Sequence, residues 1–339
     1  MSEATRAELT PVKILGTYAV LPAPTRPAKG AARAPEAARG GAAVRRLQNT
    51  PQMPAQMAPG EHSSRYARVL AAAAFGALGE RGERVRLGAL AHPTRLSVCS
   101  LYAGADRDVE LGRRWQGTDA QQTLAPQLAC HHAARVHGAA SEVAARAALQ
   151  GRYASSFGGP ATLLSGILKD AARLRRGWGE RVLSVSADVL GPSPQRQADT
   201  PGDTWPEARS PTLAEAGAAV WLTALDDPAP GYRVDISGVL AGSARALLSQ
   251  TRDIRGCWPA PAQIVSVAPN PRARRACEAL CDRLAPHVEI LHLAWRWGNC
   301  GATLGTLGIL TALESSGATW VIAADAACSV GVCVCPVPS

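Results

Sequence analysis

Two stretches of the chain repeat one pattern of apolar and polar positions. Residues 161–188 read ATLLSGILKDAARLRRGWGERVLSVSAD, and residues 302–325 read ATLGTLGILTALESSGATWVIAAD. Each opens as an Ala/Leu-rich run with helical spacing, breaks at a glycine-containing stretch, and resumes as a short apolar strand ending in Ala-Asp. A second strand pattern follows each, EAGAAVWLTAL at 215–225 and SVGVCVCPV at 329–337. One helix and two strands occurring twice predict two similar halves packed together.

The remaining pattern fits the same plan. VKILGTYAVL at 12–21 predicts a strand, and RYARVLAAAAFGALGE from Arg65 predicts a closely packed helix that Ser63 or Ser64 could cap. RLSVCSLY at 95–102 reads as a strand stopped by Gly104 and Asp106, and residues 121–150 read as mostly helical. The second half opens with the alternating strand YRVDISGVLAGS. A helix over 243–252, the strand QIVSVA at 263–268, a helix over 271–285 and the strand EILHLA at 289–294 follow. Helices alternating with short strands predict a mostly parallel sheet covered by helices, with the two closing hairpins as antiparallel edges. The fold class expected is α/β, a duplicated α/β/α/β/α layered arrangement of two half-sheets. The division expected is a first strand region over 1–21, a flexible Ala/Pro/Arg-rich segment over 22–60, an N-terminal half over 61–225 (with 12–21) and a C-terminal half over 226–339. Residues 22–60 hold too few large apolar side chains to order themselves, and 190–212 read as a surface loop.

Composition narrows the function classes. A chain of 339 residues, 47% hydrophobic, can bury a full core in one or two domains. The formal charge of +9 is concentrated around Arg173, Arg175, Arg176 and Arg181 and around Arg272, Arg274 and Arg275. No interleaving of basic and aromatic residues accompanies it, so no nucleic-acid partner is expected, and the arginines read as a solvated surface. Of nine cysteines, Cys99, Cys328, Cys333 and Cys335 lie in apolar contexts and read as buried strand thiols. Cys277 and Cys281 share a helix face without ligand spacing, so neither a metal site nor a disulfide is expected. MSEATRAELT carries no apolar signal region, and the apolar tail from Trp320 is interrupted by Asp325. No membrane span is expected, and the location expected is cytoplasmic.

Three stretches resemble the β-ketoacyl synthase group of the thiolase superfamily. Residues 213–222, LAEAGAAVWL, are similar to the strand that follows that group's mid-chain loop. Phe157-Gly158-Gly159-Pro160-Ala161-Thr162 resembles the Gly-Pro-x-Thr segment leading to the active-site Cys. Residues 297–305, WGNCGATLG, resemble the glycine-rich turn before the final helix, which carries a catalytic Asn or His in active members. The resemblance implies a duplicated thiolase-like fold, a dimer, no cofactor, and condensation of acyl groups carried on acyl carrier protein, as in fatty acid and polyketide biosynthesis. It also implies a Cys nucleophile with two His, or His and Asn, as partners.

Those residues are largely missing here. The first repeated helix starts Pro160, Ala161, Thr162, Leu163, Leu164, with no Cys near it, and the span from Gly159-Pro160 to Gly177 is too short for the usual strand, nucleophile turn and helix. Ser165 is the nearest alcohol, and an alcohol needs an adjacent base. Residues 266–271, SVAPNP, stand where the His is expected. Asn299 stands where Asn-using members keep their Asn and is the candidate catalytic residue; Gly301 and Gly305 are the candidate substrate-binding positions, with close helix packing or a tight turn as their alternative role. Cys300 is a candidate displaced nucleophile. His131 and His132 beside Cys130 share a helix but point to different faces, and His137, in a stretch resembling that of ketosynthase-like partner subunits, reads as structural. The first functional expectation is a non-catalytic subunit similar to a chain-length factor, its apolar helices meeting an active ketosynthase in a heterodimer that receives acyl carrier protein. The alternatives are a self-sufficient acyltransferase using Cys300 or Ser165, and a homodimeric scaffold that holds an acyl carrier without chemistry.

Overall fold

The computed structural model describes residues 11–22, 44–45, 65–79, 93–102, 136–147, 149, 151–178, 181–190, 211, 213–254, 258–324 and 328–337. The first half comprises β1 (Val12–Val20), β2 (Val44–Arg45), α1 (Arg65–Leu78), β3 (Thr94–Ser100), α2 (136–146), β4 (Tyr153–Phe157), α3 (Pro160–Arg175), β5 (Arg181–Asp188), β6 (Leu213–Ala214) and β7 (Ala216–Thr223). The second comprises β8 (Tyr232–Ala241), α4 (Ala244–Ile254), β9 (Gln263–Ser266), α5 (Pro271–Leu284), β10 (Ile290–His292), α6 (Leu293–Trp297), α7 (Thr303–Leu313), β11 (Thr319–Ala324) and β12 (Ser329–Pro336).

The strand order is β10-β9-β11-β12-β8-β1-β7-β5-β3-β4. Read outward from the centre, the first half runs β1, β7, β5, β3, β4 and the second runs β8, β12, β11, β9, β10. Numbered within each half, both orders are 1-5-4-2-3. The directions match as well: β1–β7 and β7–β5 are antiparallel while β5–β3 and β3–β4 are parallel, and β8–β12, β12–β11, β11–β9 and β9–β10 repeat that series. The duplication expected from the repeated ending therefore extends through the whole topology. The two half-sheets join through a short antiparallel pairing of Val12–Ile14 with Tyr232–Val234.

Three apolar cores lie between five layers. α1 and α2 cover the outer face of the first half-sheet, and α4 and α5 cover that of the second. α3 and α7 fill the space between the half-sheets. The side chains explain this placement. On α3, Leu163, Leu164, Ile167, Ala171 and Leu174 form a buried stripe, and burial of each leucine contributes about 2 kcal/mol. α7 reads TLGTLGILTAL and is apolar all round, as a helix with a sheet on each side must be.

Several expectations need correction. The closing hairpins are not edges: β7 lies between β1 and β5, and β12 between β8 and β11. Both are buried along almost their whole length, which requires cover on both faces. EILHLA is a strand only over Ile290–His292, after which the chain turns into α6. The chain between β3 and α3 contains an unexpected strand, β4. The strand, the turn at Gly158-Gly159 and the helix expected to be missing are thus present, with Gly159, Pro160 and Ala161 at the helix start. The apolar helices α3 and α7 pack inside the chain and are not available to a partner.

Within 22–60, Val44–Arg45 pair in parallel with Leu213–Ala214. The rest of that segment lies outside the described residues, as do most of 190–212, residues 121–135 with Cys130, His131 and His132, Ser63 and Ser64, Gly104, Asp106 and Asp325.

Candidate functional site: the meeting of the two central helices

The duplication brings the N-termini of α3 and α7 together at the centre of the molecule. α3 follows β4 through Gly158-Gly159. Gly159 is the cap residue and offers no side chain, and Pro160 occupies the first turn. Gly305 of α7 lies against this start: a Cβ added there would stand 2.9 Å from the Pro160 carbonyl oxygen and 3.0 Å from Leu163 Cδ2. The close approach of the two helices thus requires glycine at 305.

α7 begins differently. The turn before it places Gly298 at φ 94° and Gly301 at φ 55°, a left-handed region that favours glycine. Asn299 is half-buried in this turn. Its Oδ1 accepts from Gly301 N at 3.1 Å, and its carbonyl accepts from Ala214 N at 3.0 Å. Gly301 faces the carboxyl of Asp188, whose Cγ would lie 2.7 Å from an added Cβ. Asn299, Gly301 and Gly305 are thus brought into one short segment, where they shape the turn and the helix crossing.

Asp188, fully buried at the end of β5, is the polar centre of this junction. Its Oδ1 accepts from Ser100 Oγ, Leu101 N and Tyr102 N at 2.8–2.9 Å. Its Oδ2 accepts from Thr303 N at 3.2 Å and Thr303 Oγ1 at 3.4 Å, so a carboxylate of the first half caps the final helix of the second. Burial pushes its pKa up to about 6, against hydrogen bonds from Tyr102, Leu101, Ser100 and Thr303 that favour the charged form. A second link between halves is the 2.8 Å hydrogen bond of Ser186 Oγ and Thr306 Oγ1. The sequence offered a signal for Asp188 in the Ala-Asp that closes a buried strand in the repeat.

Among the described residues, the thiols nearest this junction, Cys99 and Cys300, are buried. Cys99 on β3 is the sulfur beside the start of α3. Its Sγ donates to Gly158 O at 3.8 Å, and burial raises its pKa to about 12. Cys300 is buried in the turn with its Sγ directed at Gly298 O, 3.5 Å away. Burial also raises the thiols of Cys277 and Cys333 to about 12. Among the described residues, no group of three His, Cys, Asp or Glu side chains could hold a metal ion, and no helix is long and apolar enough to cross a membrane.

Beside α3 runs an open cleft of about 590 Å3 between the halves. Ser165 lies on its wall, and its described lining contains no histidine to serve as a base. Arg173 Nη1 donates to the buried Asp170 Oδ1 at 2.9 Å. Burial raises the Asp170 carboxyl, opposed by Arg95 and Arg173. His137 lies near the edge strand, its Nδ1 3.4 Å from Ser155 Oγ, its Nε2 3.3 Å from Tyr153 Oη and its ring against Tyr153. Of the basic stretches, Arg175 pairs with Asp235, Arg181 with Asp227 and Arg274 with Glu278, so much of the charge is tied into the fold.

No family model and no curated protein matches this sequence. Solved structures do. A chain of the structure of a type II polyketide synthase acyl-carrier protein in complex with its ketosynthase (AntDE:AntF, bound to the hexaketide) aligns over 97% of this chain and 99% of its own length, with a TM-score of 0.69 and 10% identity. A β-ketoacyl synthase from Burkholderia phymatum STM815 aligns over 97% and 100%, with a TM-score of 0.68 and 14% identity. The ishigamide ketosynthase/chain length factor aligns over 97% and 100%, with a TM-score of 0.65 and 10% identity. The chain has the duplicated thiolase-like fold of the ketosynthases.

Proposed function

We propose that the chain is a non-catalytic ketosynthase-fold subunit, similar in role to a chain-length factor, that pairs with an active β-ketoacyl synthase. The observation that carries this reading is the start of α3. The strand, turn and helix that would present a nucleophile are in place, and they present Gly159, Pro160 and Ala161. A thioester needs a thiolate or an activated alcohol, and the sulfur beside this helix start is a buried thiol bonded to a carbonyl. Asn299 would be the surviving member of the ancestral set, its amide oxygen committed to the turn. Gly301 and Gly305 would act on substrate only through the shape they give that turn and the helix crossing.

The edge strand supports a partner. Among the described residues β4 is the last strand of its sheet, and it carries Tyr153 and Phe157, 39% and 48% exposed, on one face. A strand added there would extend the sheet and cover both aromatics. A ketosynthase as partner and an acyl carrier as client agree with what the similar structures contain, a ketosynthase with its acyl-carrier protein and a ketosynthase/chain length factor.

The test is co-expression with an active ketosynthase, followed by intact mass after feeding acyl-carrier thioesters. A stable one-to-one complex acylated only on the partner is expected. An acyl group on this chain, at Cys300 or Ser165, overturns the reading in favour of relocated chemistry.

A further inference from the structure

α3 lies between two half-sheets, yet one of its faces is polar. Thr162, Ser165, Lys169 and Arg173 succeed one another at spacings of three, four and four residues and share one stripe. This stripe walls the 590 Å3 cleft. The facing wall is polar too. Arg95 and Ser97 lie two apart on β3 and so point the same way, while Leu96 and Val98 point into the outer core. The second half closes the cleft with Leu240–Gly242 and Cys328.

The described lining carries three cations, Arg95, Lys169 and Arg173, against one anion, Asp170, a formal charge of +2. Arg173 donates to Asp170; Arg95 forms a 4.0 Å ion pair with Asp170 Oδ1, but its buried Nε has no hydrogen-bond partner, and Asp170 Oδ2 beside it is likewise buried without a donor. An acyl chain entering here would desolvate these donors and pair none of them. An oxyanion would pair several at once. A phosphoryl group, with more acceptor oxygens than a carboxylate, fits a wall that mixes guanidinium, ammonium and hydroxyl donors.

We propose that this cleft binds the phosphoryl dianion of a small molecule, with Arg95 on the inner wall and Lys169 at the mouth. The site needs no partner subunit, so it stands or falls separately from the role proposed above.

Calorimetric titration of the full chain with inorganic phosphate, at ionic strength matched with chloride, tests it. One saturable site per chain is expected, weakened at least about tenfold in Lys169→Ala and in Arg95→Gln. Lys169 is exposed, so the first variant leaves the core intact. Glycerol 3-phosphate run in parallel identifies the source: tighter binding than phosphate assigns the group to an ester, and equal binding to free phosphate. Absence of saturable binding above chloride, undiminished binding in both variants, or binding of malonate without phosphate each overturns the proposal.

Discussion

The two halves share a topology and differ where their central helices begin. α7 starts on a turn held by two left-handed glycines and is capped by a carboxylate from the other half. α3 starts on a glycine and a proline with no side-chain cap. The same backbone plan thus ends in a fixed polar junction on one side and a bare helix start on the other. Strand order is set by apolar patterning repeated along each half, whereas the chemistry of a helix start rests on one or two residues. Those residues can be lost without disturbing the order of ten strands.

The sharpest way to break this contrast is Asp188→Ala. It removes the acceptor that Leu101 N, Tyr102 N and Thr303 N share, and a loss of about 4 kcal/mol is expected in urea unfolding. Gly305→Val should cost about 3 kcal/mol by driving a branched side chain into Pro160 and Leu163; the denaturation midpoint reports it, with the far-UV spectrum retained.

Acidity probes the same junction. The folded-state pKa of Asp188, about 6, lies above the roughly 3.9 of an unfolded Asp. Its contribution is therefore fully present below pH ~4 and is lost as pH rises to about 6, an expected change of ~3 kcal/mol. Unfolding curves across that range should show this slope in the wild type, and Asp188→Ala should reduce it, the remainder belonging to other carboxyls that burial raises, such as Asp170 and Asp235. A slope unchanged by the variant assigns the titration to another group. The smallest expected effect sharpens the contrast from the other helix. A Cβ at Gly166 of α3 meets nothing within 4 Å, so Gly166→Ala should stabilise by about 0.7 kcal/mol. A loss of stability there would show that α3 is as tightly enclosed as α7.

Much of the fold was legible because the repeat is written in large apolar side chains. Leu163, Leu164 and Ile167 on one helix and Leu304, Leu307 and Ile309 on the other announce two enclosed helices. β4 was not legible, since Tyr-Ala-Ser-Ser-Phe at a sheet edge has no apolar alternation. The interior place of β7 was written in AGAAVWLT, whose lack of a polar face marks a strand covered on both sides, and it was misread as an edge. Asn299, Gly301 and Gly305 were singled out from the glycine-rich turn, and the structure places them in one short segment. The tie from Asp188 to Thr303 was not legible, because a hydrogen bond spanning 115 residues leaves no local trace of its partner.

The pairing of β1 has a consequence for how the protein is made. Lys13 lies opposite Thr223, 210 residues later, and Ile14 opposite Tyr232. At roughly 5–20 residues per second on the ribosome, the first strand emerges some ten to forty seconds before either neighbour exists. During that interval Val12, Ile14 and Val20 have no sheet to join, so nascent chains should depend on a holding chaperone until translation passes β7.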